Sequence, residues 1–507
     1  MRRILGLVAT LALVGRVDGT GQAAPGRAAA TITEADIKRR IGIIAHDSMG
    51  GRDTPSPGLE STARYLAREF ERIGLQPAGS DGYFQRYGIR IRTVDPTRSS
   101  LAISNPAAAR FSFRFPADAK LAFGAPLDTV TTRDLALGGG PIGPSTELDP
   151  AAVAGRTLYW VADWRGRAPN VGQILIAAAN AGAALVVLSI NDDSAFARLN
   201  GPTRGIVIAE SVGWPAVIAV REAAVVAAIP EAQASIEAAR ASSAVRVEPA
   251  PGWSITATVA YSEDRRHEVP NVVGIVPGTD PTLRGEYLAI SAHFDHVGSR
   301  CRGVSPADSI CNGADDNGSG TTAVLELAEA FANPAARPRR SILFVAVSGE
   351  ERGLWGSEYF ARHPTVGIDR IVANINMDHL GRNWRDSIVV IGREHSDLGA
   401  TVDRVAGANR DLGVGVLPDQ WPEERIYFRS DHYNFARNGV PILFFTNGFH
   451  PDYHAVTDSP DKIDAEKMAR VVRLIFQTGL AIANGPERPK WNPESERQIV
   501  RRRSAIP

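Results

Sequence analysis

At 507 residues the chain is long enough for about three domains, or for one large domain carrying an insertion. Its 44% hydrophobic and 22% charged residues are the composition of a core-forming globular protein. Lys+Arg and Asp+Glu both number 56, so the formal charge is zero and nothing in the balance attracts nucleic acid.

In chain order, segment 1–23 comes first. Arg2 and Arg3 precede an apolar run from Ile4 to Val14, and small residues follow at positions 21–24. A charged start and an apolar stretch of about a dozen residues match a secretory signal, whereas a membrane span needs about 20. No Cys stands near it to accept a lipid. The expectation is export, to periplasm or medium, with no stable membrane insertion after the signal is removed.

The next part is 24–114, where 31–75 reads as two helices around a loop at 46–58. The second helix, over 59–73, places Ala63, Leu66, Ala67, Phe70 and Ile73 at helical spacing. From Tyr87 to Gly143 the chain is strand-like and irregular. Its run of glycines at 138–143 lacks both the lysine and the directly following helix of a phosphate loop, and reads as a turn. Residues 115–255 form a module of their own, with apolar strands over 157–161, 184–190 and 215–220 and an Ala-rich helix over 171–181. This pattern resembles the protease-associated domain, an insertion found in exported and surface peptidases.

Strands and helices alternate from Asn271. Strands are expected over 287–292, 342–348, 371–377, 387–391 and 440–446, and helices over 321–332, 354–361 and 465–482. The predicted fold for 256–485 is therefore α/β, a mixed and mostly parallel sheet with helices on both faces. Ligands in such sheets bind beyond the carboxyl ends of the strands. The tail, 486–507, ends in three arginines and reads as a solvated end. Cys301 and Cys311, ten positions apart in a loop-like stretch, predict one local disulfide in an oxidising compartment; metal ligation by the two thiols is the alternative.

The strand ends carry the chemistry. The first ends in His293-Phe294-Asp295. Gly313-Ala314-Asp315-Asp316-Asn317-Gly318-Ser319-Gly320 stands directly before a helix. Glu350 and Glu351 follow the second strand and Asp378 the third, and Tyr453-His454 precedes the last long helix. Taken singly, each has an ordinary reading: a core histidine, a helix N-cap, a solvated helix start. Together they bring imidazoles and carboxylates to one edge of one sheet. Converging carboxylates repel unless cations lie between them, and a thiolate-free mixture of His and Asp/Glu suits zinc, or less selectively manganese or cobalt. No His-Glu-x-x-His is present. Pro451 breaks the helix that a His450/His454 pair would need. Ser430-Asp431-His432 cannot align as a triad, and this segment reads as a buttress of the cleft. His296, His379 and His432 have no role readable from the sequence.

This order of motifs resembles the co-catalytic zinc exopeptidases related to bacterial leucyl aminopeptidase and glutamate carboxypeptidase II. The resemblance covers 271–482 and the paired N-terminal helices, with the insertion where some members carry a protease-associated domain. It implies two zinc ions per chain: one on His293 and Asp378, one on Glu351 and His454, with Asp315 bridging them across a cis Asp315–Asp316 peptide. It further implies an aminopeptidase acting on peptides through a metal-bridging water. Glu350 is the expected general base, Asp295 would orient His293, and Tyr453 would donate to the oxyanion. The alternatives are a carboxypeptidase or dipeptidase on the same site, a non-catalytic receptor-like relative, and a glutaminyl-cyclase-like transferase.

Overall fold

The computed structural model describes residues 20–123, 129–143, 146–165, 169–199, 204–208 and 215–500. The expected signal segment 1–23 lies outside these apart from residues 20–23, of which Thr20 opens the helix Thr20–Ala29. Among the described residues no helix is long and apolar enough to cross a membrane. The chain forms two compact units, one from Met1–Tyr87 with Val269–Pro507 and one from Gly88–Glu268.

The first unit is built on strands that are apolar on both faces. Ser341–Val347, Ile371–Met377 and Ile442–Thr446 are buried at every position, as strands covered by helices on both sides must be. They pair in the order Gly415–Leu417, Ser387–Ile391, Ile442–Thr446, Ile371–Met377, Tyr287–His293, Ser341–Val347, Tyr261–Val276. The four central strands run parallel, with Ile290 opposite both Phe344 and Ile375. Ser387–Ile391 and Tyr261–Val276 flank them antiparallel. The sheet is thus mixed and mostly parallel, as expected.

Alternation along a strand divides the core. Leu343, Val345 and Val347 pack with Phe360 and Phe435, on the helices Trp355–Arg362 and His432–Ala436. Phe344 turns the other way, towards Phe70 and Phe331, and Phe331 in turn meets Phe476 with ring centroids 4.8 Å apart. These rings lie on Pro57–Ile73, Gly320–Ala332 and Ala465–Asn484. Pro57–Ile73 is closed at both ends: Ser56 accepts from Leu59 N, and Gly74 takes a left-handed φ of 90° with its N–H on Phe70 O.

The tail departs from expectation. Rather than a solvated end, Pro493–Ile499 is a helix whose Ile499 is buried against the apolar core, and Trp491 Nε1 donates to Gly439 O. The apolar side chains in this otherwise polar stretch supply the contact that holds it. Arg501–Arg503 lie outside the described residues.

The second unit holds an eight-stranded sheet with an apolar core on each face. Thr129–Gly139, Thr157–Val161, Leu185–Ile190 and Ala216–Arg221 are parallel neighbours. The unit is wider than the expected 115–255, because Ser100–Ser104 and Arg246–Val259 pair with each other in this same sheet. Gly138 and Gly139 end a strand rather than form a turn. A Cβ on Gly138 would lie 2.9 Å from Trp160, and one on Gly139 2.4 Å from Ala239 O.

Candidate metal centre

Every expected ligand segment leaves the carboxyl end of a parallel strand or enters the sheet's helical layer at that edge. His293 is the last residue of Tyr287–His293, the 3-10 turn Glu350–Arg352 follows Ser341–Val347, and Asp378 follows Ile371–Met377. His454 comes from the loop after Ile442–Thr446 and Asp316 from the turn before Gly320–Ala332.

Among the described residues three groups of donor atoms form here, and two of them share a residue. His293, Asp316 and Asp378 make one, and His296, Asp316, Glu351 and His454 the other. Asp316 belongs to both and splits its oxygens between them. Oδ1 lies 3.6 Å from His293 Nε2, and Oδ2 lies 3.0 Å from His454 Nε2. His293 Nε2 is also 3.4 Å from Asp378 Oδ1, and His454 Nε2 is 3.1 Å from Glu351 Oε2.

The place between the two groups, expected to be taken by Asp315, is thus occupied by Asp316, and the cis peptide lies one bond later than expected, at Asp316–Asn317. Asp315 faces elsewhere. Its Oδ1 accepts from Gly381 N at 2.6 Å, its Oδ2 stands 3.3 Å from His450 Nε2, and it groups with His379 and His450. The sequence reading missed this because adjacent aspartates are indistinguishable by type, and the backbone leaves helical geometry at Asp316 and Asn317.

Several supports could not be read from the sequence. Asp458 accepts from the backbone N–H groups of Asp315 and Asp316 at 3.1 Å and so anchors their turn. Asn317 clamps the turn to the third strand, donating to Met377 O and accepting from Gly320 N. Ser430 donates to Asp378 Oδ2 at 3.2 Å, which leaves Oδ1 towards His293. Arg52 is fully buried and donates to the carbonyls of Ile44, Phe294, Asn312 and Gly313, tying the His293 and Asp316 segments together.

The disulfide expected between Cys301 and Cys311 is present. The loop it closes touches the His454 segment. Arg302 N donates to His454 O, Val456 N returns to Arg302 O, and the Arg302 guanidinium binds the carbonyls of Pro451 and Tyr453.

Glu350 lines the cleft without entering either donor group. Its N–H donates to Asp295 Oδ1 at 3.2 Å, and its Oε2 lies 4.0 Å from His293 Nε2. Burial pushes its carboxyl well above the usual range. The His293 imidazole opposes that rise, while Glu351, Asp431 and Asp378 add to it. Asp295 is buried and takes a further bond from Thr54 Oγ1; its carbonyl is 3.2 Å and its Oδ1 3.7 Å from His293 Nδ1. The Tyr453 ring stacks on His454 with centroids 4.0 Å apart. Arg429, at the same cleft, pairs with Glu424 at 3.0 Å and stacks over Phe449. His432 accounts for itself structurally, with Nε2 2.7 Å from Tyr427 O and its ring on Phe444.

The donors fit zinc. Asp316 Oδ2, Asp378 Oδ1 and His454 Nε2 are buried without hydrogen-bond partners, all at the two groups just described. Burial alone would raise the Asp316 carboxyl, yet His296, His379 and His454 around it hold it well below its ordinary value. Imidazoles with ionised carboxylates and no thiolate are a zinc donor set.

A mostly parallel α/β sheet with such donors beyond its strand ends places a metal-suited site at the edge where ligands of these sheets bind. Residues 271–479 match the model of peptidase family M28. The chain is 27% identical over 233 residues to a probable leucine aminopeptidase of Arthroderma otae, covering 44% of this chain and 60% of that protein. It is 34% identical over 188 residues to a probable zinc metalloprotease of Leptosphaeria maculans, covering 36% and 42%. The matches thus span roughly half the length of these curated relatives. An aminopeptidase from Aneurinibacillus sp. strain AM-1 has a similar fold, with a TM-score of 0.50 at 17% identity, covering 92% of this chain and 98% of that one.

Proposed function

We propose that the protein is an exported zinc aminopeptidase that removes N-terminal residues from peptides, with two zinc ions per chain and a protease-associated domain in Gly88–Glu268. The observation that carries this reading is the carboxylate of Asp316, which offers one oxygen to each of two His/carboxylate groups. His293 and Asp378 would hold one ion, Glu351 and His454 the other, and Asp316 both. Two dications against three carboxylates leave about one positive charge. When bound they supply Lewis acidity and bring the pKa of water down to about 7.

The remaining steps belong to the chain. Glu350 lines the cleft beside the donors without joining them, placed to take a proton from the attacking water and return it to the leaving amine. Its N–H bond to Asp295 fixes where it stands, and the same aspartate adjoins His293 Nδ1. Tyr453, stacked on His454, would direct its hydroxyl to the carbonyl oxygen as negative charge develops there. Arg429 supports an amino- over a carboxy-terminal substrate. Its guanidinium is already engaged by Glu424 and Phe449 rather than set out for a chain-terminal carboxylate. The name of the Arthroderma otae relative points the same way.

The test is one peptide assayed free, N-acetylated and C-amidated, with and without chelator. We expect acetylation and chelation to abolish cleavage and amidation to leave it intact. Cleavage that survives acetylation but not amidation would assign a carboxypeptidase instead, and sensitivity to both blocks a dipeptidase.

A further inference from the structure

His296, three residues beyond His293, is fully buried. Its Nδ1 lies 3.0 Å from Glu351 Oε1 and 3.6 Å from Asp316 Oδ2, the oxygen that also faces His454. One donor atom from each of His296, Asp316, Glu351 and His454 falls within 4.8 Å of all the others. Donors held about 2.0–2.2 Å from a shared zinc stand roughly 3–4 Å apart, and the pairs His296–Glu351, His296–Asp316, His454–Asp316 and His454–Glu351, at 3.0, 3.6, 3.0 and 3.1 Å, fall in that range.

Packing sets the ring in place. It meets His454 edge to face at 5.5 Å and lies against Gly313, where a Cβ would come 2.6 Å from its Cγ and Cδ2. Its Nε2 has no hydrogen-bond partner. The polar contacts of the imidazole are thus those of Nδ1, to the two carboxylates.

We propose that His296 is a fourth protein ligand of the cation held by Glu351 and His454, which makes the two cation sites unequal. The inference rests on the dizinc reading. Four protein donors close the shell of a tetrahedral zinc, whereas three leave a position open. The open position then falls on the side of His293 and Asp378, where Glu350 stands 4.0 Å from His293 Nε2. His379 Nε2 also approaches Asp378 and Asp316, at 3.4 and 3.6 Å, but its donor atoms group with Asp315 and His450.

The test reads metal rather than turnover. Zinc-edge X-ray absorption on the holoenzyme should show three imidazoles shared between two zinc ions. In graded chelator, His296→Ala should release one zinc more than about 100-fold more readily than the parent, beyond the roughly 10–100-fold that loss of an outer hydrogen-bond partner costs. His296→Gln, which keeps a donor to Glu351, should behave like His296→Ala. Two imidazoles in a protein holding two zinc ions, or parental zinc retention in His296→Gln, would overturn the ligand assignment alone. Fewer than two zinc ions in the parent would overturn the dizinc reading with it.

Discussion

Asp315 and Asp316 share a side chain and a charge, yet only Asp316 faces both donor groups. Asp315 spends its oxygens on Gly381 N and the neighbourhood of His450. On the proposed dizinc reading Asp316→Asn should therefore lose both metal ions, whereas Asp315→Asn should retain them; elemental analysis of the two purified variants separates the assignments. Glu350 differs again, since it neighbours the donors without joining them. Glu350→Gln should keep its full metal content and lose about 10²–10⁴ of kcat. Near-parental turnover in that variant would remove Glu350 as the base.

At the scale of elements, the site is made by strand ends and secured by loops. His454 hangs on a loop after the Ile442–Thr446 strand, and the disulfide-closed loop holds it through Arg302. A ten-residue bridge constrains the unfolded chain by about 3 kcal/mol. The double variant Cys301→Ser, Cys311→Ser should melt lower by an amount of that order. It should also release zinc to chelator more readily than the parent, because the Arg302 contacts loosen with the loop. Unchanged zinc release would show that the loop stabilises the fold without positioning His454.

Across the first unit, a buried charge cluster joins three helices. Arg40 on Glu34–Ile44 reaches Glu326 and Glu329 on Gly320–Ala332, each at 2.5 Å, and lies 3.6 Å from Glu69 on Pro57–Ile73. Burial, opposed by Arg40, pushes Glu326 up to about 7. With its folded pKa above the ordinary 4.5, the folded state binds more protons between those two values. The contribution of Glu326 to stability is then complete below about pH 4.5 and is lost as pH rises to about 7, by roughly 3 kcal/mol. Denaturant unfolding of Glu326→Gln across that window should show a correspondingly shallower fall with pH. A parental slope would mean that Arg40 keeps Glu326 ionised throughout.

How much could be read in advance follows from the range of each interaction. The strands over 371–377 and 387–391 and the helix ending at Ala332 were legible because continuous apolar runs and helical periodicity are local signals. The long strand Arg246–Val259 was not, since Pro, Gly and charged residues interrupt its pattern and its partners lie far off in the chain. The sequence by itself determined an α/β sheet, the residue types at its strand ends, a pair of cysteines to join, and hence zinc-suited chemistry. Tertiary structure alone decided that Asp316 rather than Asp315 stands between the groups and that His296 turns towards Glu351. It also placed Arg52 against Asn312, 260 positions away. Which way a side chain faces depends on backbone turns and packing partners remote in sequence, and residue type does not encode these.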